Sequence, residues 1–211
     1  MSAPDVTITR SLPESVRAAA VDVFVEAFGE KMSTALPDPD RRRAFVARTL
    51  AADHCITALD GESFFGFAGL KAATGHYAGG VVDARRLGFG EARRLLGMRG
   101  AIKARVAFGL VDHRPKPREL YIENIVVAPE ARGKGIGTRL LAEIETIARE
   151  DGFERIWLDV IDTNPRARVL YEREGYEVIK EQKLYFMSRF AGFSVVRTME
   201  LAVGADEPSA G

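Results

Sequence analysis

The 211-residue chain has one cysteine, one tryptophan, three histidines and no formal net charge. Each scarcity excludes something. Cys55 alone rules out an internal disulfide framework and fits a reducing compartment. His54, His76 and His113 are scattered and form no metal-ligand spacing, so no metal is expected. Lysine plus arginine number 30 and aspartate plus glutamate number 30, a balance that argues against a protein binding nucleic acid through bulk charge. No apolar run reaches the length of a membrane span, and Met1-Ser2-Ala3-Pro4-Asp5 lacks the basic and apolar regions of a secretory signal. A soluble, cytoplasmic protein with no nucleic-acid and no membrane partner is the expectation.

What is present is globular material. Apolar residues make up 46% and charged residues 28%, far from the composition of a disordered chain. One α/β domain is expected over 1–203, with 204–211 a flexible tail. The zero charge conceals an uneven spread: residues 75–118 hold ten cations against three anions, and the remainder carries the compensating negative excess. Leu87, Leu95, Leu96, Ile102 and Val106 recur there at helical spacing broken by glycines, which predicts a basic helical insertion. Three readings stay open for it: a solvated face, part of a pocket for a carboxylate-bearing amine, or a nucleic-acid or membrane contact, the last disfavoured by sparse aromatics.

Around the insertion, periodicity marks the elements. Val16, Ala20, Val23, Phe24 and Ala27 predict an amphipathic helix, and Pro37-Asp38-Pro39-Asp40 opens a second one carrying Phe45, Val46, Thr49 and Leu50. Ile56 to Leu59 and Ser63 to Ala73 read as a hairpin about Asp60-Gly61. Its second arm sets Phe65, Phe67 and Gly69 against a nearly bare face of Gly66 and Ala68, which invites close backbone or ligand approach. Strands are expected at Glu119 to Val127, Arg155 to Ile161, Glu177 to Phe186 and Ser194 to Val203.

The informative unit is the strand ending at Val127, the loop Arg132-Gly133-Lys134-Gly135-Ile136-Gly137-Thr138, and a helix with apolar Leu140, Leu141, Ile144, Ile147 and Ala148. Unpaired amides at a helix start, glycines that admit close approach and the cations Arg132 and Lys134 together make an anion cradle suited to a phosphate or pyrophosphate. The dinucleotide pattern fails because Leu140 stands where Gly or Ala is required, and no Walker lysine follows at its spacing.

Val126-Val127-Ala128-Pro129-Glu130-Ala131-Arg132-Gly133-Lys134-Gly135-Ile136-Gly137 resembles the acetyl-CoA signature of the GNAT superfamily of N-acetyltransferases, (Arg/Gln)-x-x-Gly-x-(Gly/Ala), filled by Arg132, Gly135 and Gly137. Asn164-Pro165 to Gly175-Tyr176 resembles the family's second block, where an Asn opens a helix containing a Tyr and a Gly-Phe/Tyr pair ends it. The resemblance implies a mixed, largely antiparallel central sheet flanked by helices and acetyl-CoA as acyl donor. Backbone amides from Arg132 to Thr138 are then expected on the pyrophosphate, Ile125, Val126 and Val127 beside the pantetheine, and Asn164 near the same arm. The strand holding Ile125 and the one at Arg155 to Ile161 are expected to splay. Tyr171 matches the tyrosine that protonates the leaving thiolate in family members, and Glu123 is the candidate base, with Tyr121 sharing its face. The implied reaction is acetyl transfer to a primary amine by direct attack, because Cys55 has no motif context for a covalent intermediate.

Elementary acid–base chemistry sets the difficulty. An alkyl amine of pKa about 10.4 is neutral in about one part in 2,500 at pH 7, a penalty of about 4.6 kcal/mol before attack. Plainer roles stand beside these: Tyr171 as a packed tyrosine beside Ala167 and Leu170, Asn164 as an N-cap, Glu123 as an ion-pair partner. So do two other functions, a non-catalytic acyl-CoA-binding regulatory module and an enzyme for a different acyl-CoA. Family members often dimerise through C-terminal strands, so a homodimer is a further expectation. The acceptor amine itself is unread.

Overall fold

A seven-stranded sheet forms the middle of the molecule in the computed structural model, which describes residues 6–33, 36–78, 80–82, 87, 90–91, 93–94, 97, 114–184 and 192–204. Most of the expected insertion and tail lie outside those residues. The described start of the insertion joins the core: Tyr77, Val81 and Leu87 are buried.

The chain begins with strand β1 (Val6–Thr9) and a single 3-10 turn (Glu14–Val16) leading into helix α1 (Arg17–Ser33). Ala20, Val21 and Phe24 bury its inner face. Helix α2 (Pro39–Thr49) starts as its letters predict: the Asp38 side chain accepts the Arg41 N–H at 2.9 Å, and Pro39 takes the first position, where no donor is needed. Arg17 fastens the two helices by donating to the Ala47 and Leu50 carbonyls at 2.9 and 2.7 Å.

Strands β2 (Cys55–Asp60) and β3 (Ser63–Ala72) form the hairpin expected about Asp60-Gly61, with Gly61 at φ 59°. Strand β4 (Glu119–Val127), helix α3 (Ile136–Glu150) and strand β5 (Arg155–Ile161) follow, then helix α4 (Pro165–Arg173) and strands β6 (Glu177–Lys183) and β7 (Val195–Ala202). In α3 the predicted stripe of Leu140, Leu141, Ile144, Ile147 and Ala148 is buried, each large side chain contributing about 1.5–3 kcal/mol.

The strand order is β1-β2-β3-β4-β5-β7-β6, antiparallel throughout except for the parallel pair β4 and β5. The sheet is thus mixed and largely antiparallel, as expected. Cross-strand partners share a face. Phe67 pairs with Val126 and packs its ring 6.2 Å from Phe24 of α1, so that face lies under α1. Lys71, Tyr121, Trp157 and Glu200, linked across β3, β4, β5 and β7, continue the same face.

The two glycines of β3 are accounted for by neighbours. A Cβ on Gly66 would lie 2.5 Å from the Val126 carbonyl oxygen, and one on Gly69 would meet Val81 Cγ2 at 2.5 Å and Asn124 Nδ2 at 2.8 Å. At Gly66 the bare face admits the close approach of β4, and at Gly69, on the other face, the missing side chain makes room for Val81 and Asn124.

Candidate acyl-transfer site

Strands β4 and β5 pair only from Glu119 with Arg155 to Ile122 with Leu158. Beyond that point each keeps its outer neighbour: β4 stays on β3 as far as Val127 with Gly66, and β5 stays on β7 as far as Ile161 with Val196. The sheet therefore forks between residues 123–127 and 159–161, where the sequence expectation placed a splay.

A β-bulge lies at the base of the fork. Gly69 faces Asn124 while Leu70 faces Ile122, so Glu123 is the extra residue on β4. A bulge bends its strand and re-aims side chains, and here it starts the divergence from β5. Sequence reading missed it, since only the register against β3, some fifty residues upstream, defines it.

The open arm of β4 offers backbone groups. The Ala128 N–H donates to the Phe65 carbonyl at 2.9 Å, so by antiparallel alternation Val126 turns its backbone toward β3, and Ile125 and Val127 turn theirs into the fork. Of the three residues singled out on this strand, two face the opening. Arg132 Nε already donates to the Val127 carbonyl at 3.3 Å, and its guanidinium also meets Glu26 of α1 at 3.3 Å.

At the mouth of the fork the glycine loop turns into α3. Gly133 and Gly135 both adopt φ 76°, the left-handed region that favours glycine, and a Cβ on either would meet no atom within 4 Å. The Arg132 and Lys134 amides donate to the Pro129 and Ala131 carbonyls at 3.3 Å, which narrows the expected run of free amides. Among the described residues, Gly133, Gly135, Ile136, Gly137 and Thr138 have no backbone acceptor for their N–H groups, the first bond of the helix running from Arg139 N–H to Gly135 C=O at 3.1 Å. The Lys134 ammonium lies 5.3 Å from the centre of the Phe65 ring. Thr138 gives its hydroxyl proton to Glu174 at 3.0 Å and accepts from Arg173 at 2.8 Å, so its side chain is engaged by the end of α4. An open, amide-lined turn at a helix start fits a pyrophosphate, and the free edge of β4 beside it fits an amide-bearing arm. These residues suit acetyl-CoA.

Helix α4 supplies the remaining candidates. Asn164 caps it, accepting the Ala167 N–H at 3.3 Å. Tyr171 is buried, its ring centre 6.0 Å from that of Tyr176, and burial pushes its phenol up to about 12. Tyr176 is shifted the same way, burial first and the charge of Tyr171 second, and its buried hydroxyl has no partner among the described residues.

On the α1 face, Glu123 accepts the Val81 N–H and lies 4.0 Å from the Lys71 ammonium. Two residues back, the Tyr121 hydroxyl donates to Asp159 Oδ2 at 3.0 Å, and the Thr198 hydroxyl donates to Asp159 Oδ1 at 2.7 Å. Burial raises the Tyr121 phenol well above its ordinary value, with the Asp159 charge next and smaller contributions from Glu123 and Tyr171. All three therefore lie within electrostatic reach of one hydroxyl. The sequence pointed to Glu123, Tyr121 and Tyr171 and missed Asp159 and Thr198. Cys55 is fully buried and donates to the Ala51 carbonyl at 3.2 Å. Among the described residues no cluster of His, Cys, Asp and Glu could hold a metal ion, and no helix is long and apolar enough to cross a membrane.

Comparison with known proteins bears on the family and the fold. A thialysine N-epsilon-acetyltransferase of Bos taurus is 36% identical over 77 residues, 36% of this chain and 45% of that protein. N-alpha-acetyltransferase 50 of Danio rerio is 35% identical over 77 residues, 36% of this chain and 46% of that protein. The matched stretch thus spans less than half the length of these relatives. Among solved structures, the ribosomal-protein-S18-alanine N-acetyltransferase from Escherichia coli superposes with a TM-score of 0.56 at 16% identity, covering 98% of this chain and 99% of that one, which is a likeness of fold. The sequence profile of the family described as Acetyltransferase (GNAT) matches residues 16–176, three quarters of the length, and the chain belongs to that family.

Proposed function

We propose that this protein moves an acetyl group from acetyl-CoA to a primary amine by direct attack within a complex of both substrates. The carrying observation is the fork: β4 and β5 separate beyond Ile122 and Leu158, directly beside a left-handed glycine turn lined with amides. Acetyl-CoA supplies a thioester, whose acyl carbon accepts the amine nitrogen as its carbon–sulfur bond breaks. Gly133, Gly135, Ile136, Gly137 and Thr138 hold the pyrophosphate through their amides, and Ile125 and Val127 pair with the pantetheine. Asn164 stands at the start of α4 on the same side.

Glu123 takes the proton that the attacking nitrogen must lose, directly or through water. Its geometry supports this: the bulge aims it onto the α1 face at the base of the fork, and Val81 N–H and Lys71 restrain it there. Positioning two substrates can contribute roughly 7–11 kcal/mol in ideal cases, more than a general base worth about 10²- to 10⁴-fold.

Tyr171 serves the leaving sulfur. With its phenol pushed up to about 12, it keeps its proton at neutral pH. It donates a hydrogen bond to the developing sulfur charge and is the proton source for the departing thiolate. Cys55, sealed in the core, supports attack without a covalent enzyme intermediate. The relatives named above for a thialysine side-chain amine and an α-amine support an amine as acceptor.

The test is thiol release from acetyl-CoA across an amine panel. Release that depends on both substrates supports the proposal. Binding without release on any amine supports a regulatory acyl-CoA module, and tighter thermal-shift binding of a longer or charged acyl-CoA supports a different donor.

A further inference from the structure

The fork carries one carboxylate on each arm. Glu123 is the first residue of β4 past the last pair with β5, and Asp159 is the first residue of β5 past the same pair. Tyr121 faces Trp157 one step earlier, so both carboxylates point to the α1 face. Their surroundings differ. Glu123 has the Lys71 ammonium at 4.0 Å and the Val81 amide. Asp159 is held by two neutral hydroxyls, Tyr121 at 3.0 Å from β4 and Thr198 at 2.7 Å from β7, and among the described residues no lysine or arginine forms an ion pair with it. Two other carboxylates of this sheet are paired, Glu200 with Arg155 at 3.5 Å and Glu181 with Arg197 at 2.9 Å.

Among the described residues, Asp159 is thus oriented but not paired with a cation. One hydroxyl on each oxygen fixes the plane of the carboxylate and uses about two of its four acceptor directions, leaving the others for an incoming donor. An alkylamine arrives at neutral pH as a cation in all but about one part in 2,500 and presents three N–H donors. An arylamine or an alcohol arrives uncharged.

Resting on the acetyl-transfer reading above, we propose that Asp159 is the residue that docks the acceptor, in its alkylammonium form, at the fork. Asp159 keeps one N–H hydrogen bond throughout. Glu123, on the opposite arm and the same face, receives the proton that leaves before nitrogen bonds to the acyl carbon. Tyr121 and Thr198 are positioning residues, acting through Asp159.

The experiment uses an isomeric pair, phenethylamine and para-ethylaniline, with a wider alkylamine panel and acetyl-CoA, on wild type, Asp159→Asn, Asp159→Glu and Thr198→Val. Asparagine keeps an acceptor for one hydroxyl and a donor for the other while removing the charge. The expected result is wild-type preference for the alkylamine and an alkylamine KM raised about 10- to 100-fold in Asp159→Asn, the worth of a charge-assisted hydrogen bond. The acetyl-CoA KM and melting temperature stay near wild type, Asp159→Glu recovers part of the loss, and Thr198→Val falls between. An unchanged alkylamine KM in Asp159→Asn overturns the inference, as does wild-type preference for the arylamine. Should Asp159→Asn melt far below wild type, Thr198→Val decides, and an unchanged KM there overturns it. Wild type that releases no thiol with any amine overturns the acetyl-transfer reading itself, a different outcome from an active wild type with an indifferent variant.

Discussion

A methyl group on Gly137 would stand 2.8 Å from Leu170 Cδ2, so the first turn of α3 and the helix carrying Tyr171 are in direct contact. The glycine at this position serves the packing of α4 as well as access to the cradle. Gly137→Ala must push aside the tip of one leucine, and a cost of about 1–2 kcal/mol is expected from overpacking. Leu170→Ala removes the obstacle. In urea unfolding the double variant should therefore lose less stability than the two single losses together, a coupling absent if the helices are independent.

Gly135 raises a different constraint. Nothing obstructs a side chain there, but φ 76° penalises any residue with a Cβ by about 1–2 kcal/mol. Gly135→Ala should lose roughly that much stability and most of the thermal stabilisation by acetyl-CoA, whereas Gly135→Asn, which tolerates the left-handed region better, should keep more of both. Equal behaviour of the two variants would mean that side-chain bulk, and not backbone conformation, matters in the cradle.

Tyr171 links the site to alkaline stability. Its phenol ionises near 10 in the unfolded chain and is pushed up to about 12 in the fold, so its contribution is complete below pH 10 and is lost as pH rises toward 12. That difference corresponds to about 2–3 kcal/mol. Tyr176 is shifted in the same direction. Stability measured by denaturant titration should fall over this window in wild type and fall less steeply in Tyr171→Phe. The same variant should lower kcat with little change in acetyl-CoA KM, since the hydroxyl is assigned to the developing sulfur charge.

Glu123→Gln keeps an acceptor for the Val81 amide while removing the charge that faces Lys71. We expect kcat to drop by about 10²- to 10⁴-fold, with acetyl-CoA binding retained and residual turnover increasing with pH as more amine arrives neutral. A variant with wild-type kcat would remove Glu123 from the chemistry.

Local signals were legible in the sequence because local physics decides them. Asp38-Pro39 and Asn164-Pro165 open helices through contacts three residues long, and Leu140 to Ala148 bury one stripe because spacing alone sets it. The glycine loop was readable for the same reason. The bulge at Glu123 was not, because it exists only in the register of β4 against β3. Nor was the Asp159 cluster, whose members Tyr121 and Thr198 lie 38 and 39 residues away along the chain. The face of Gly66 was recognised as bare, but what fills the space there, the Val126 carbonyl, is a matter of tertiary contact. The proposed donor side is built from sequence-local geometry and the proposed acceptor side from long-range pairing, which is why one was readable and the other was not.

The most direct measurement is the initial rate of thiol release with acetyl-CoA and an accepted alkylamine both varied. The account predicts no release without amine and double-reciprocal lines that intersect, as a complex of both substrates requires. Parallel lines, or acetyl-CoA binding with no amine-dependent release, would contradict it.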